Sequence, residues 1–538
     1  VTDATVAQST VARPPTTASG QVNWTMLLIG FAGMAIGQFM AILDIQIVAA
    51  SLPQIQAGVG ASADQVSWIQ TAYLIPEVVM IPLSAYLSRL WGTRLVFMMS
   101  CAGFTVMSVV AGFSNSIEFM IVARALQGFV GGAMVPTVFA TAFTAFPPDK
   151  RIMANVATGM IVTLAPTVGP ILGGHLTEWL SWRWLFFVNV GPGLLSLFLV
   201  GRYANFDKGD RSLATGFDWF GLATMAIFLM SLQYVVEEGA KDNWFEDGMI
   251  LWLTVLCVIT FVTFVWRTLT YRQPLIQLRA FADRNFTLGI LMTAVSGISL
   301  YGGTFLMPLY LGRVRQYSAA EVGTTMLVSG ICMFFTGPLV GRLARTIDAR
   351  VPMVIGFSMV AWGMWLGHDI NGEWGFWEFA SLQAFRGCGV MIAMIATSQM
   401  TMSTLPPPMI KDASGIMNLS RNTAGAIAMA YLSTTLTTQT ANHMTALSSR
   451  VSIASTEAQG MIAGLTQMMA ERGVSDPAGA ARKAFHYFLN QQASILAFGD
   501  GFTVLAIAGA LAAALALLAK PVNTPPSAAA LEAAAEAH

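Results

Sequence analysis

The chain has 538 residues, 55% of them hydrophobic and 10% charged, with Lys plus Arg equal to Asp plus Glu. An ordinary soluble domain carries about 25% charged residues, so this composition excludes a soluble protein and describes a chain that crosses a membrane many times. The zero balance implies neither nucleic acid nor an acidic partner, and the four cysteines, Cys101, Cys257, Cys332 and Cys388, stand singly in apolar stretches, with no disulfide or metal pattern.

Residues 1–23 are polar and lack the basic and apolar regions of a cleaved signal, so they are expected to form a cytoplasmic tail, with insertion starting at the first span. A hydrocarbon core about 30 Å thick needs roughly 20 apolar residues per helix. On that measure there are fourteen spans, near 25–50, 66–88, 94–113, 117–143, 152–174, 184–202, 217–236, 249–269, 286–311, 321–343, 351–367, 377–404, 413–437 and 497–519. An outer loop is expected over 438–496; within it Asp476-Pro477 reads as an N-cap and first helical position, and 456–472 as amphipathic. Residues 520–538 form an Ala/Pro/Glu tail expected to be disordered. With both ends inside, seventeen Lys and Arg fall on the cytoplasmic side and eight outside, four of the eight in the long loop. Charge in a long loop counts little, so the positive-inside rule sets this orientation.

The stretch Pro82-Leu-Ser-Ala-Tyr-Leu-Ser-Arg89-Leu-Trp-Gly-Thr-Arg94 lies over Pro338-Leu-Val-Gly-Arg-Leu-Ala-Arg345-Thr-Ile-Asp-Ala-Arg350 without a gap, at an offset of 256 that also carries Gly159 onto Gly415 and Gly169 onto Gly425. Residues 24–203 and 281–519 therefore read as two pseudo-symmetric six-helix halves, with two extra central helices inserted at 204–280. Parallel halves of this kind place the binding site between them, near the midplane.

Charges inside spans cost about 2.5 to 3.5 kcal/mol each at mid-membrane, so each asks for a reason. Asp44, Glu77 and Arg124 stand in spans one, two and four, and Arg386 and Arg421 in spans twelve and thirteen. A carboxylate that moves between wet and dry surroundings can take up a proton, whereas one facing an arginine stays ionised. Two roles fit each acid: Asp44 as proton site or hydrogen-bonded helix organiser, and Glu77 as proton carrier or substrate contact, with Glu77 favoured by its depth. Arg386-Gly387 falls beside Gln127-Gly128 if the halves are compared with a three-residue adjustment. Polar residues on otherwise apolar spans, Gln38, Gln70, Tyr73, Tyr301, Gln399 and Asn418, together with Arg386 and Arg421, are the candidate cavity lining. The 32 Met and 33 Phe suit an adaptable apolar pocket but equally suit helices that face lipid.

Several motifs resemble the fourteen-span drug:proton antiporters of the major facilitator superfamily, the EmrB type: Leu43-Asp44 followed by Leu52-Pro53, Arg124-Ala-Leu-Gln-Gly128, Gly169-Pro-Ile-Leu-Gly-Gly174, and Trp182-Arg-Trp-Leu-Phe-Phe-Val-Asn189. The resemblance covers about 25–519 and implies an all-α major facilitator fold and export of small amphipathic compounds in exchange for protons. It implies a role for Arg124 in proton coupling, set against a fixed structural ion pair. It also implies that Pro166, Gly169, Pro170, Gly173 and Gly174 form a seam packed against a helix of the other half, which ordinary helix packing would explain too. The second half lacks the signature, since Ala426 stands where the first has Pro170.

In the loop after span two the superfamily's usual Gly and Asp are replaced by Ala85 and Arg89, while Gly92 and Arg94 remain. A cytoplasmic gate is therefore expected to lean on the second copy, where Gly341 and Asp348 are kept among Arg342, Arg345 and Arg350, or else these are solvated basic loops that serve topology. No phosphate-binding G-x-x-x-x-G-K-[ST] and no H-E-x-x-H or G-x-S-x-G occurs. The expectation is a transporter, not an enzyme, driven by the proton gradient without cofactor or metal in a bacterial inner membrane. A periplasmic adaptor and an outer-membrane channel are the implied partners, the long outer loop offering a docking surface or a self-packed cap. An importer of a nutrient or a lipid transporter on the same fold is the alternative.

Overall fold

The computed structural model describes residues 23–521 apart from 345–346, 407–408 and 451–455. The first tail, most of the last tail and Arg345 lie outside the described residues. Among those described, thirteen helices are long and apolar enough to cross a membrane. Spans one to eight are Trp24–Ala50, Trp68–Trp91, Thr93–Gly112, Ile117–Thr144, Pro148–Trp179, Trp184–Tyr203, Trp219–Glu238 and Gly248–Thr270. Spans nine to twelve are Arg284–Arg313, Ala319–Leu343, Arg350–Leu366 and Phe376–Ser403, and span fourteen is Pro477–Ala516. Side chains start many of them: Asn23, Ser116, Asp218, Asp247, Asp283, Ser318 and Asp476 each accept a hydrogen bond from a backbone N–H of the first turn. Such caps satisfy donors that the helix itself leaves unpaired.

Span thirteen, Ile410–Arg450, is a single helix but is not one of the thirteen apolar ones. Its first turns carry Lys411, Asp412, Ser414, Asn418, Ser420, Arg421 and Asn422. It packs against spans two, four, seven, nine and fourteen, so its polar side chains meet protein rather than lipid. Span eight is the opposite case, packing mainly on span seven and exposing Leu251, Trp252, Val258, Ile259 and Val262.

Spans one to six pair as spans nine to fourteen do. One packs on five as nine packs on thirteen, two on four as ten on twelve, one on six as nine on fourteen, and three on four as eleven on twelve. Across the halves, five packs on ten and two on thirteen, again symmetry-related. Span seven packs on span two of one half and span thirteen of the other, with Thr71 Oγ1 donating to Glu238 Oε1 (3.1 Å), and Trp244 of the connection that follows donates from Nε1 to Thr434 Oγ1 (3.0 Å).

The expected outer loop over 438–496 is mostly helix. Span thirteen continues to Arg450, a separate helix occupies Thr456–Glu471, and span fourteen begins at Pro477, capped by Asp476, with the separate helix packed upon it. Its Ala-, Gln-, Leu- and Met-rich text consists of strong helix formers, which a search for apolar spans passes over. The opposite side of the molecule, where spans one, three, five and thirteen begin, carries most of the arginines and is called the basic face here.

Candidate transport site

Span one delivers Asp44 to the interior of the first half, where its side chain and that of Arg124 are both 0% exposed. Arg124 Nη1 donates to Asp44 Oδ2 at 2.6 Å and to Gln127 Oε1 at 2.7 Å, and Arg124 Nε donates to the Ile69 carbonyl at 3.2 Å. Asn189 Nδ2 donates to Asp44 Oδ1 at 2.7 Å and to Ser108 Oγ at 3.0 Å. The Tyr73 ring lies 4.4 Å from the guanidinium carbon. A buried ion pair needs partners for its remaining lone pairs and protons; apart from Arg124 Nη2, which has no hydrogen-bond acceptor among the described residues, this one finds them, and it ties together spans one, two, three, four and six. Gln127, Asn189 and Ser108 are not among the site residues expected from the sequence. The signal for the first two was present, because Gln127 lies within the Arg124–Gly128 motif and Asn189 ends the Trp182–Asn189 motif.

Glu77 is 7% exposed in the middle of span two, close enough to Arg124 and Asp44 to feel both charges. Its carboxylate forms no hydrogen bond or ion pair among the described residues. Span four breaks at Gly132, where a Cβ would come within 2.8 Å of the Glu77 carbonyl, so glycine allows the two helices to touch there. Spans one and nine do not pack closely on each other. Between the halves, Glu77 lies within electrostatic reach of Tyr301 of span nine. Tyr301 donates to Asn422 Oδ1 at 3.2 Å, and Arg421 stands 5.1 Å from the Phe139 ring of span four while donating to Asn418 Oδ1 at 3.1 Å.

Arg386 is fully buried and donates to Gln383 Oε1 (2.8 Å) and Ser329 Oγ (3.1 Å), with no acid paired to it among the described residues. Gly387 meets the Ser329 carbonyl as Gly128 meets that of Tyr73, which supports the three-residue adjustment between halves. The first half thus has Arg124 and Gln127 where the second has Gln383 and Arg386, the same pair inverted by one turn. Of the remaining cavity candidates, Tyr73 belongs to the Arg124 cluster, Gln38 is fully buried on span one, and Gln70 and Gln399 are half-buried.

Span five is one helix through both Pro166 and Pro170. Gly169 faces Gln46, and Gly173 faces the Ile47 carbonyl and Ser51 Oγ, at 3.0 Å from a would-be Cβ. These glycines therefore admit span one of their own half, not the other half as the resemblance implied. The cross-half contact uses the other half's glycines: Thr167 fills the space at Gly330, Ile171 that at Gly323, Met160 that at Gly337 and Val156 that at Gly341. Gly174 has open space around it.

On the basic face, Arg89 Nη1 pairs with Asp412 Oδ2 of span thirteen at 3.0 Å, and its Nη2 donates to the Leu275 carbonyl at 3.1 Å. Lys411 pairs with Asp207 and donates to the Ser88 carbonyl at 3.1 Å, while Asp207 also accepts from Thr93 N and Thr93 Oγ1, each at 2.8 Å. Gly92 takes φ +87°, a turn that suits glycine, and Arg94 donates to the Gly201 carbonyl. Among the described residues, the ion pairs joining the halves at this face are therefore on the first copy of the repeat, where the second copy was expected to carry them. In the second copy the Asp348 carboxylate bonds, among the described residues, only its neighbour Arg350, at 3.0 Å. Partial burial opposes the Asp348 charge, but the hydrogen bonds and charge of Arg350 outweigh it and hold the carboxyl below its usual range.

A model of the Major Facilitator Superfamily matches residues 34–429. The chain is similar to the colistin resistance protein EmrB of Acinetobacter baumannii, 40% identical over 77% of this chain and 81% of that one. It is similar also to the multidrug export protein EmrB of Escherichia coli, at 30% over 82% and 88%, and to the fatty acid resistance protein FarB of Neisseria gonorrhoeae, at 28% over 93% and 96%. Among solved structures, the human organic anion transporter MFSD10 (TETRAN) shares the fold, with a TM-score of 0.53 at 14% identity over 90% of this chain and 99% of that one.

Proposed function

Because this chain belongs to the major facilitator superfamily, among its EmrB-type multidrug transporters, we propose that it exports amphipathic drugs or other toxic organic compounds in exchange for protons, by alternating access between its two halves. The observation that carries this reading is the wholly buried Asp44–Arg124 pair with the unpartnered, buried Glu77 beside it. Glu77 is the group free to take a proton from the cleft. Its neutralisation removes a negative charge from the field of Arg124, which strengthens the hold of Arg124 on Asp44 and closes the first half about spans one, two and four. Loss of the proton to the other side relaxes that hold. Substrate lies against Tyr301, Asn418, Arg421 and Phe139, and the charge change at Glu77 couples its release to proton entry. No cofactor takes part.

The basic face is cytoplasmic in this reading, the membrane is a bacterial inner membrane, and the helices of 438–496 form the surface for a periplasmic adaptor that leads to an outer-membrane channel. The relatives support the substrate class: they are a colistin resistance protein, a fatty acid resistance protein and a multidrug export protein.

Proteoliposomes test the proposal. With an inward proton gradient, efflux of a fluorescent amphipathic dye is expected, falling at least tenfold in Glu77→Gln and Asp44→Asn. Efflux unchanged in both variants would remove these acids from coupling, and dye uptake in the direction of the gradient would favour an importer.

A further inference from the structure

A cavity of about 530 Å³ opens at the basic face, outside both the buried ion pair and the cleft between halves. Its wall brings together Arg94, Lys208 and Arg211 with a single acid, Asp207. The Asp207 carboxylate is already engaged by the N–H and hydroxyl of Thr93 and by Lys411, so the wall presents net positive charge to the space. Span three begins here, and the N–H groups of its first turn add partial positive charge. The rim is apolar and outward-facing: Trp91 is 42% exposed and Leu95 48%. A tryptophan at a helix end facing outward marks the level of the lipid headgroups, so the cavity opens sideways onto the bilayer at the depth where phosphates lie.

We propose that this cavity binds the phosphodiester headgroup of an anionic phospholipid. The phosphate oxygens accept hydrogen bonds from the Arg94 and Arg211 guanidinium groups and the Lys208 ammonium, and the acyl chains run along Leu95 and Met99. Free phosphate shares the headgroup chemistry but would leave the exposed Trp91 and Leu95 rim without an occupant. The site is built from the span-two to span-three turn and the linker that leaves span six, and it shares Asp207 with the ion pair that joins the halves.

Native mass spectrometry of the full chain in detergent, given phosphatidylglycerol and phosphatidylcholine of equal chain length, tests the assignment. One phosphatidylglycerol is expected to be retained in preference. Each cation removed, in Arg211→Gln, Lys208→Gln or Arg94→Gln, should weaken its retention about fivefold, the effect of roughly one favourable charge near a membrane surface. Arg211 and Lys208 are exposed, so their variants answer even if Arg94→Gln, which loses a bond to Gly201, fails to fold. Arg272→Gln and Arg279→Gln, on the same face but outside the cavity, should retain the lipid as the parent does. Equal retention of the two lipids overturns the proposal, as does unchanged retention in Arg211→Gln and Lys208→Gln. Displacement of the lipid by excess inorganic phosphate would overturn the choice of a lipid as its source.

Discussion

Asp44 and Glu77 are both carboxylates withdrawn from water, but one is paired and the other is not, and that difference predicts opposite responses. Asp44→Asn leaves the Arg124 guanidinium buried without its anion, which costs about 3–5 kcal/mol. The unfolding midpoint in detergent should drop clearly, and adding Arg124→Gln should recover part of the loss by removing the stranded charge. Glu77→Gln breaks no hydrogen bond or ion pair among the described residues, so its midpoint should equal or exceed the parent's while the pH dependence of transport disappears. A Glu77→Gln protein that melts as early as Asp44→Asn would contradict this account of the two acids. The charged residues were legible in the sequence because a charge in an apolar span is conspicuous. The polar residues that satisfy Asp44 were legible only as members of the Arg124–Gly128 and Trp182–Asn189 motifs, and Ser108 not at all, since a single Ser, Asn or Gln in a span has many innocuous uses.

At the scale of single helices, Gly169 and Gly173 of span five are explained by what lies beside them, Gln46 for the one and Ile47 with Ser51 for the other. Gly169→Leu puts a side chain where a Cβ alone would stand 2.5 Å from Gln46 Cβ, and Gly330→Val does the same at Thr167, where a Cβ would stand at 2.8 Å. Both should destabilise the protein by about 1–3 kcal/mol through overpacking, whereas Gly174→Ala, with open space around it, should stay within about 0.5 kcal/mol of the parent. Thermal unfolding of the three variants separates these outcomes, and a fall for Gly174→Ala as large as for Gly169→Leu would mean that the spacing of helices is not what the glycines serve. Span thirteen was readable as a helix from its pattern, although its hydropathy is too low for lipid. Its continuation to Arg450 was not, because helix propensity beyond the membrane carries no apolar signature.

For the whole molecule, the basic face is fastened across the halves by Arg89 with Asp412 and by Lys411 with Asp207. Reversing one charge, as Arg89→Asp or Asp412→Arg, should favour the form open at that face. The readout is labelling of a cysteine at Asn418 by a membrane-impermeant maleimide supplied from the basic side, expected to speed up roughly tenfold in either single variant. The double exchange should return labelling toward the parent rate. Single variants that label at the parent rate would show that these pairs do not fasten the halves. The same opposition of charge could have been suspected from Lys411-Asp412 at the start of a span, but not its partner: Arg89 lies over three hundred residues earlier.

The sequence by itself determined that the chain lives in a membrane, that it is built of helices in two related halves with a pair inserted between, and that Asp44, Glu77, Arg124, Arg386 and Arg421 are buried, because hydrocarbon allows only helices to span it and makes each charge expensive. The tertiary structure alone decided which buried charges face each other, which helix each glycine admits, and which copy of the repeated loop ties the halves together. Those are matters of side chains brought together from distant parts of the chain, and helix periodicity says which face a residue lies on but not which neighbour that face will meet.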